Sequence, residues 1–112
     1  MSDWTTVCPA EQLAVHEYAS VEIDDVPILA IRLPDKAPGE PHYVAIEDQC
    51  SHDALPLAGG EIAAERITCP AHGAQFCLKT GAALSAPAYE AIPTFPVRVR
   101  AGMLQVRDDR WD

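Results

Sequence analysis

Two cysteines and two histidines stand in a pair of short segments near the middle of the 112-residue chain. The first segment reads Cys50-Ser51-His52, and the second, sixteen residues further on, reads Cys69-Pro70-Ala71-His72. Thiolate and imidazole are ligands that iron, zinc and copper accept in proteins. Each segment offers one donor of each kind. We therefore predict that Cys50, His52, Cys69 and His72 form a metal site.

Three interpretations of these ligand segments are open. A structural zinc ion accepts two cysteines and two histidines, but the usual zinc finger pairs like with like and places its histidines on a helix. All four residues could instead occupy ordinary core or surface positions, although two compact mixed segments argue against coincidence. A [2Fe–2S] centre with two cysteines on one iron and two histidines on the other accounts for the mixed pairing.

The sequence around the ligand segments reads as short strands separated by turns. Ten prolines and six glycines indicate many turns, and no segment has the pattern of a helix longer than a turn or two. Strands are predicted at residues 4–8, 15–23, 26–33, 43–46, 66–68, 74–78, 95–99 and 103–106. The class is therefore all-β, with the ligand segments carried on loops between strands.

Several local features can be predicted in more detail. Asp24-Asp25 has the composition of a turn, and Ala101-Gly102 has that of a hairpin turn. Residues 34–41 contain three prolines and are expected to be an exposed connection. The alternation of residues 95–100 predicts that Phe95, Val97 and Val99 point inward.

The remaining cysteines and histidines lack ligand spacing. Cys77 follows Phe76 in a predicted strand and is expected to be a small buried apolar residue. A disulfide between Cys8 and Cys77 is not expected in a reducing compartment. His16 and His42 have no cysteine at ligand distance along the chain and are expected at the surface.

The charge balance limits the possible partners. Seventeen acidic and eight basic residues give a formal charge of −9, and residues 1–65 contain 13 of the acids but only 2 of the bases. Such a chain is a poor nucleic-acid ligand, because phosphate affinity comes largely from lysine and arginine. No apolar run approaches the ~20 residues that a membrane helix needs, and the first residues lack the pattern of a signal peptide. We expect a cytoplasmic protein with neither nucleic acid nor membrane as a partner.

The ligand segments resemble the Cys-x-His and Cys-x-x-His signature of Rieske proteins. Similar features continue through the Leu55-Pro56-Leu57 segment, the Gly59-Gly60 turn, Gly73 and the run of residues 76–81. The resemblance is densest between residues 43 and 99. It implies a single domain over residues 1–112 with the fold of an antiparallel Rieske-like β-sandwich. A small cluster-binding subdomain, at about residues 46–88, would be carried on two loops.

The resemblance also implies the cofactor and its ligands. One [2Fe–2S] cluster would be held by Cys50 and Cys69 on one iron and by His52 and His72 on the other. High-potential Rieske subunits join their two loops by a disulfide, and the corresponding positions here are Leu55 and Ala71.

Those subunits also place serine and tyrosine hydroxyls near the cluster sulfurs, where this chain has Ala74 and Phe76. A potential near the lower end of the Rieske range, about −150 to +300 mV, is therefore expected.

The function implied by the resemblance is electron transfer without catalysis. The chain has no nucleotide fingerprint, no hydrolase triad and no room for a mononuclear-iron domain. It resembles the monomeric ferredoxins that carry electrons from an NAD(P)H-dependent flavoprotein ferredoxin reductase to a terminal Rieske non-haem iron oxygenase acting on aromatic rings. The alternatives are a Rieske-like small subunit of a larger enzyme, such as assimilatory nitrite reductase, or a structural zinc module.

Overall fold

The computed structural model describes residues 4–51, 55–86 and 88–109, which contain ten β-strands in three antiparallel sheets. The strands are β1 (Thr5–Pro9), β2 (Tyr18–Ile23), β3 (Val26–Ala37), β4 (Glu40–Glu47), β5 (Ile62–Ala63), β6 (Arg66–Thr68), β7 (Gln75–Cys77), β8 (Thr94–Phe95), β9 (Val97–Arg100) and β10 (Met103–Val106). A short 3-10 turn, Ala10–Gln12, follows β1. The predicted all-β, antiparallel fold is confirmed.

The sheet of order β2-β3-β4-β8 lies in the centre of the fold. In β3, Ile28, Leu29, Ala30 and Ile31 are all fully buried, so both faces of this strand are covered. A strand covered on both faces has a continuous apolar sequence rather than an alternating one, as β3 does.

The two faces of the central sheet contribute to two different cores. Leu29, Ile31 and Ile46 pack on one side with residues of the small β5-β6-β7 sheet, and this core includes Cys50 and Cys69. Ile28, Ala30 and Ala45 pack on the other side against the β1-β10-β9 sheet, with Phe95, Leu104 and Val106. The two predicted cysteine ligands therefore belong to one core only.

Both predicted turns are confirmed, and both join the strands of a hairpin. Asp24 and Asp25 connect the paired ends of β2 and β3 with φ values of 49° and 68°. Ala101 and Gly102 connect β9 to β10 with φ values of 53° and 77°. Two successive positive φ angles give a turn whose twist matches that of the flanking strands.

The segment of residues 34–41 is exposed as expected, but it is not a simple connection. Strand β3 continues to Ala37 and β4 starts at Glu40, so the two strands form a hairpin that extends beyond the sheet. The pairing register shifts between Leu33 and Ala37. This irregularity accommodates Pro34, which has no N–H to donate to a strand ladder.

Three other strand predictions need correction. Strand β2 begins at Tyr18, not at residue 15, because His16 has a φ of 71° in a turn. The predicted strand 95–99 is divided at Pro96 into β8, in the central sheet, and β9, in the β1-β10-β9 sheet. Val99 is 48% exposed because β9 is an edge strand of that sheet. The described residues include no helix long and apolar enough to cross a membrane.

Candidate metal centre

The structure describes three of the four predicted ligands. Cys50 and Cys69 are each only 1% exposed and belong to the same core, whereas His72 is exposed. His52 lies outside the described residues, as do Asp53 and Pro87. The structure therefore brings the two predicted thiol ligands into a common core and leaves the described imidazole at the surface.

The two predicted cysteine ligands make the same kind of backbone hydrogen bond. The N–H of Cys50 donates to the carbonyl of Leu55 at 2.8 Å, and the N–H of Cys69 donates to the carbonyl of Ala74 at 2.7 Å. In both cases the acceptor lies five residues after the cysteine. The shared bond from each cysteine to the residue five positions later is in keeping with equivalent roles for the two sulfurs.

The second loop contains an additional turn. The N–H of Gly73 donates to the carbonyl of Cys69 at 3.0 Å, and Gly73 has a φ of +77°. Glycine adopts this left-handed conformation without the steric cost that a side chain would add. The glycine that follows His72 therefore lets the chain reverse directly after the predicted ligand.

Asp48 and Tyr18 hold the first loop from its base. A carboxylate oxygen of Asp48 accepts the N–H groups of Leu57 at 2.7 Å and Ala58 at 2.9 Å. The hydroxyl of Tyr18 accepts the N–H of Gly59 at 3.0 Å. The sequence did not indicate that either residue holds the loop. The only available signal was the position of Asp48, two residues before the predicted ligand Cys50.

A close backbone contact joins the first loop to the strand before the second. A Cβ atom added to Gly60 would lie 2.1 Å from the carbonyl oxygen of Thr68, the residue that precedes Cys69. The N–H of Thr68 donates to the carbonyl of Glu61 at 2.9 Å. Only glycine at position 60 lets the two ligand-bearing segments approach in this way.

The surroundings of the cysteines are apolar inside and partly apolar at the surface. Leu57, Ala74 and Phe76 are fully buried in the same core, and none of their side chains has a hydrogen-bond donor. Leu55 is 45% exposed and Tyr89 is 86% exposed. Ala74 and Phe76, which have no hydroxyl, are thus also completely buried.

A further hydrogen bond joins the first loop to residues 88–92. The Ser51 hydroxyl donates to the Glu90 carbonyl at 2.6 Å. Ala88 packs in the core that contains both cysteines. Exposed Tyr89, which lies between these residues, is therefore held next to the first ligand loop.

The other two cysteines, Cys8 and Cys77, do not form a disulfide with each other or with the predicted ligands. Burial raises the pKa of the Cys8 thiol, whereas a hydrogen bond from the Thr80 side chain lowers the pKa of the Cys77 thiol. Cys77 is partly exposed, so the expectation of a fully buried residue was too strong. His16 and His42 are also partly exposed, and a ring nitrogen of His16 lies 3.2 Å from the carbonyl oxygen of Ala64.

The donor set fits an iron–sulfur cluster in its chemistry. Two thiols that are buried in one core and are not joined in a disulfide suit ligands of a soft metal, and an apolar surrounding limits the access of water. Within the described ranges, which exclude His52, no three Cys, His, Asp or Glu side chains are grouped as metal ligands. The assignment of all four ligands therefore remains a prediction.

The family of the chain follows from comparison with known proteins. Residues 3–96 match the Rieske [2Fe-2S] domain, and the chain belongs to this family. The cofactor of the family is a Rieske-type [2Fe–2S] cluster.

The relatives include ferredoxin subunits of aromatic dioxygenases. The chain is 38% identical, over 96 residues, to the 3-phenylpropionate/cinnamic acid dioxygenase ferredoxin subunit of Escherichia coli K12, and the match covers 85% of this chain and 84% of the relative.

Solved structures of ferredoxins have the same fold. The ferredoxin of carbazole 1,9a-dioxygenase from Nocardioides aromaticivorans superposes with a TM-score of 0.82 and 26% identity, covering 94% of this chain and 97% of that one. A chain from the complex of reduced oxygenase and oxidized ferredoxin in carbazole 1,9a-dioxygenase matches with a TM-score of 0.81 and 28% identity, covering 93% and 92%.

Proposed function

We propose that this protein is a low-potential Rieske ferredoxin that carries single electrons from an NAD(P)H-dependent flavoprotein reductase to a terminal aromatic-ring oxygenase. The observation that carries the proposal is the pair of cysteines buried in one core, each of which donates its N–H to the carbonyl five residues later. Relatives with the same family domain are ferredoxin subunits, which are electron-transfer components and not catalysts.

The proposed ligands are Cys50 and Cys69 on one iron and His52 and His72 on the other. When bound, the cluster supplies one-electron redox chemistry at a potential that its ligands and surroundings set. Leu57, Ala74 and Phe76 exclude water from the cysteine side, and they offer no hydroxyl that would stabilise the reduced state. These contributions support a potential near the lower end of the Rieske range.

The proposed partner surface is the apolar area next to the ligand loops. Leu55 supplies the carbonyl that accepts from Cys50, and Tyr89 precedes Glu90, whose carbonyl accepts from Ser51. Their side chains are exposed beside the first loop. A small apolar contact of this kind suits weak docking and rapid release, as electron-transfer complexes require.

The chain is further proposed to work as a monomer in the cytoplasm. None of its four cysteines is joined in a disulfide, which is in keeping with a reducing compartment. A large catalytic chain that stays bound through purification would contradict the carrier proposal and would indicate a fixed subunit of a larger enzyme instead.

Spectroscopy and voltammetry test the cofactor part of the proposal. The reduced protein should give the low average g-value of mixed cysteine and histidine ligation, and its midpoint should lie well below about +100 mV. Cys50→Ser and Cys69→Ser should lose the cluster absorbance, while Cys77→Ser should keep it. A colourless protein that contains zinc, or a Cys77→Ser variant that loses its iron, would contradict the ligand assignment.

Electron-transfer rates test the proposed partner surface. Leu55→Ser and Tyr89→Ser should slow reduction of the oxygenase by the ferredoxin without changing its absorption spectrum. Val15→Ser is a matched control, because Val15 is 45% exposed, as Leu55 is, but lies in the segment before β2. Equal losses in the Leu55 and Val15 variants would argue against a specific docking surface.

A further inference from the structure

Residues 88–92 form a short segment beside the predicted ligand loops, and we call it the bridging segment. Ala88 and Ile92, at its two ends, are each 3% exposed and pack in the core that contains the two predicted cysteine ligands. Residues 89–91 are exposed. The bridging segment is therefore fixed in the core at both ends and lies at the surface between them.

The end of the bridging segment at Ile92 is tied to the chain that follows the second ligand loop. The N–H of Ile92 donates to the carbonyl of Gly81 at 2.8 Å, and the N–H of Gly81 donates to the carbonyl of Cys77 at 2.8 Å. Cys77 is the last residue of β7, which starts directly after Ala74. A Cβ atom at position 81 would overlap the Ile92 carbonyl, so only glycine permits this contact.

The middle of the bridging segment is tied to the first ligand loop. The Ser51 hydroxyl donates to the Glu90 carbonyl at 2.6 Å. Among the contacts that the described residues make, this is the single hydrogen bond of residues 89–91. In the sequence, Ser51 stands between the predicted ligands Cys50 and His52. One side chain therefore joins the exposed part of the bridging segment to a ligand segment.

The strength of this bond decides how often the middle of the bridging segment moves away from the loop. Ser51 is partly exposed and Glu90 is exposed, so water can replace either partner. Under these conditions one hydrogen bond makes a modest net contribution, which corresponds to about a two- to tenfold change in an equilibrium. Because both ends of the segment stay anchored, loss of the bond should free its middle without unfolding the protein.

Two properties of the protein depend on the position of the bridging segment. The first is the access of water to the predicted cluster site, because the segment packs on the core that contains both cysteines. The second is the position of Tyr89, which is 86% exposed and directly precedes Glu90. A side chain whose backbone is already fixed loses less conformational entropy when a partner docks on it.

We propose that Ser51 is a positioning residue for electron transfer: its hydroxyl holds the bridging segment against the first ligand loop, which shields the cluster site from water and orders Tyr89 for docking. This role rests on the proposed function, because it requires a cluster at the ligand loops and a docking surface that includes Tyr89. Ser51 itself is not assigned as a ligand.

Ser51→Ala tests the shielding role in the cluster-containing protein. Hydrogen–deuterium exchange at the amides of residues 89–91 should become about two- to tenfold faster, and iron should be lost to a chelator faster by a similar factor. The midpoint potential should rise, because water stabilises the negative charge that reduction adds. Ser51→Thr keeps the hydroxyl and should retain the original values.

Thr6→Ala is the matched control. The Thr6 hydroxyl accepts a hydrogen bond from Gln105 at 3.1 Å and belongs to an exposed residue, but it lies in the β1-β10-β9 sheet. The exchange rates, the iron loss and the midpoint potential should remain as in the unchanged protein. No effect of Ser51→Ala, equal effects of Ser51→Ala and Thr6→Ala, or a Ser51→Thr variant that behaves like Ser51→Ala would overturn the role of the Ser51 hydroxyl.

The affinity for the oxygenase tests the docking role. Ser51→Ala should raise the dissociation constant of the complex with the oxidised ferredoxin about two- to tenfold. In a Tyr89→Ser background the same substitution should have little further effect, because the hydroxyl then has no docking side chain to order. Additive losses of affinity in the double variant would contradict this coupling.

The EPR spectrum of the unchanged protein separates the role of Ser51 from the proposed function. If the reduced protein lacks the low average g-value of mixed cysteine and histidine ligation, the proposed function fails. If the signal is present and the effects of Ser51→Ala are missing, the cluster assignment stands and only the role of Ser51 fails.

Discussion

The carboxylate of Asp48 accepts a hydrogen bond from the backbone N–H of Leu57 at 2.7 Å, across nine positions of the chain. The first predicted ligand segment, residues 50–52, lies between these two residues. Because the same oxygen also accepts the N–H of Ala58 at 2.9 Å, one side chain fixes both ends of the first ligand loop.

Removing this carboxylate should loosen the loop. Asp48→Ala leaves two backbone N–H groups without their acceptor, which costs about 1–3 kcal/mol for a buried group, and the iron content of the purified protein should decrease. Urea unfolding and iron analysis measure the two effects. Asp48→Asn is the matched control, because its amide oxygen can still accept. If Asp48→Ala is as stable and as iron-rich as the unchanged protein, Asp48 does not position the loop.

Gly60 should be intolerant of any side chain. In Gly60→Ala the new Cβ would meet the Thr68 carbonyl, so the first loop must move away from the strand that leads to Cys69. We expect a loss of about 1–3 kcal/mol from this overpacking and a lower iron content. Gly59→Ala is the neighbouring control, because a Cβ there meets no atom within 4 Å and only the strain of its positive φ remains. Equal iron contents in the two variants would contradict the role of the close contact.

The pH dependence of stability should contain a contribution from His42. Burial, followed by the charges of Lys36 and Lys79, lowers its pKa in the folded chain. The unfolded chain, with a histidine pKa of about 6.5, then binds the proton more tightly than the folded chain does. Stability is therefore fully present above the unfolded value and decreases as pH falls through the folded pKa.

Urea unfolding between about pH 5 and 8 measures this effect. His42→Gln should decrease the slope of stability against pH, and Lys36→Gln should decrease it in part by removing one of the nearby charges. A slope that is the same in the unchanged protein and in His42→Gln would show that His42 does not contribute.

The two cysteines outside the ligand segments should differ in reactivity. The Thr80 hydroxyl lowers the pKa of Cys77, whereas burial raises the pKa of Cys8. Since the thiolate is the reactive form, iodoacetamide should alkylate Cys77 faster than Cys8 by on the order of fivefold. Mass spectrometry of the cluster-containing protein measures both rates. Thr80→Val should reduce the difference and Thr80→Ser should preserve it; faster alkylation of Cys8 would contradict the assignment.

The sequence was most informative where the relevant residues are close along the chain. The predicted ligands lie within two segments of three and four residues, and the hairpin turns at Asp24-Asp25 and Ala101-Gly102 are local as well. Such features depend on residue type and spacing, which the sequence shows directly. The structure confirms both turns, and it places Cys50 and Cys69 in one core.

Features that depend on distant contacts could not be predicted. Gly59 meets Tyr18 across 41 positions, and nothing in either residue type indicates that pairing. The alternation of residues 95–99 correctly predicted strand structure, but it also predicted that the side chain of Val99 is buried. Burial requires other residues to cover the side chain, and Val99, on edge strand β9, remains 48% exposed. Three prolines between residues 34 and 41 suggested a connection, because a bulge that accommodates Pro34 is not visible from composition.

The separation of the fold into two cores has a consequence for maturation. The β1-β10-β9 sheet and the central sheet share a core that contains neither Cys50 nor Cys69, so the packing in this core does not involve the predicted cluster site. We expect the newly made chain to form this half first and to hold it while iron and sulfide are delivered to the ligand loops. Cluster assembly would then act on a template that is already folded, and loss of the cluster would expose one half of the protein to degradation before the other.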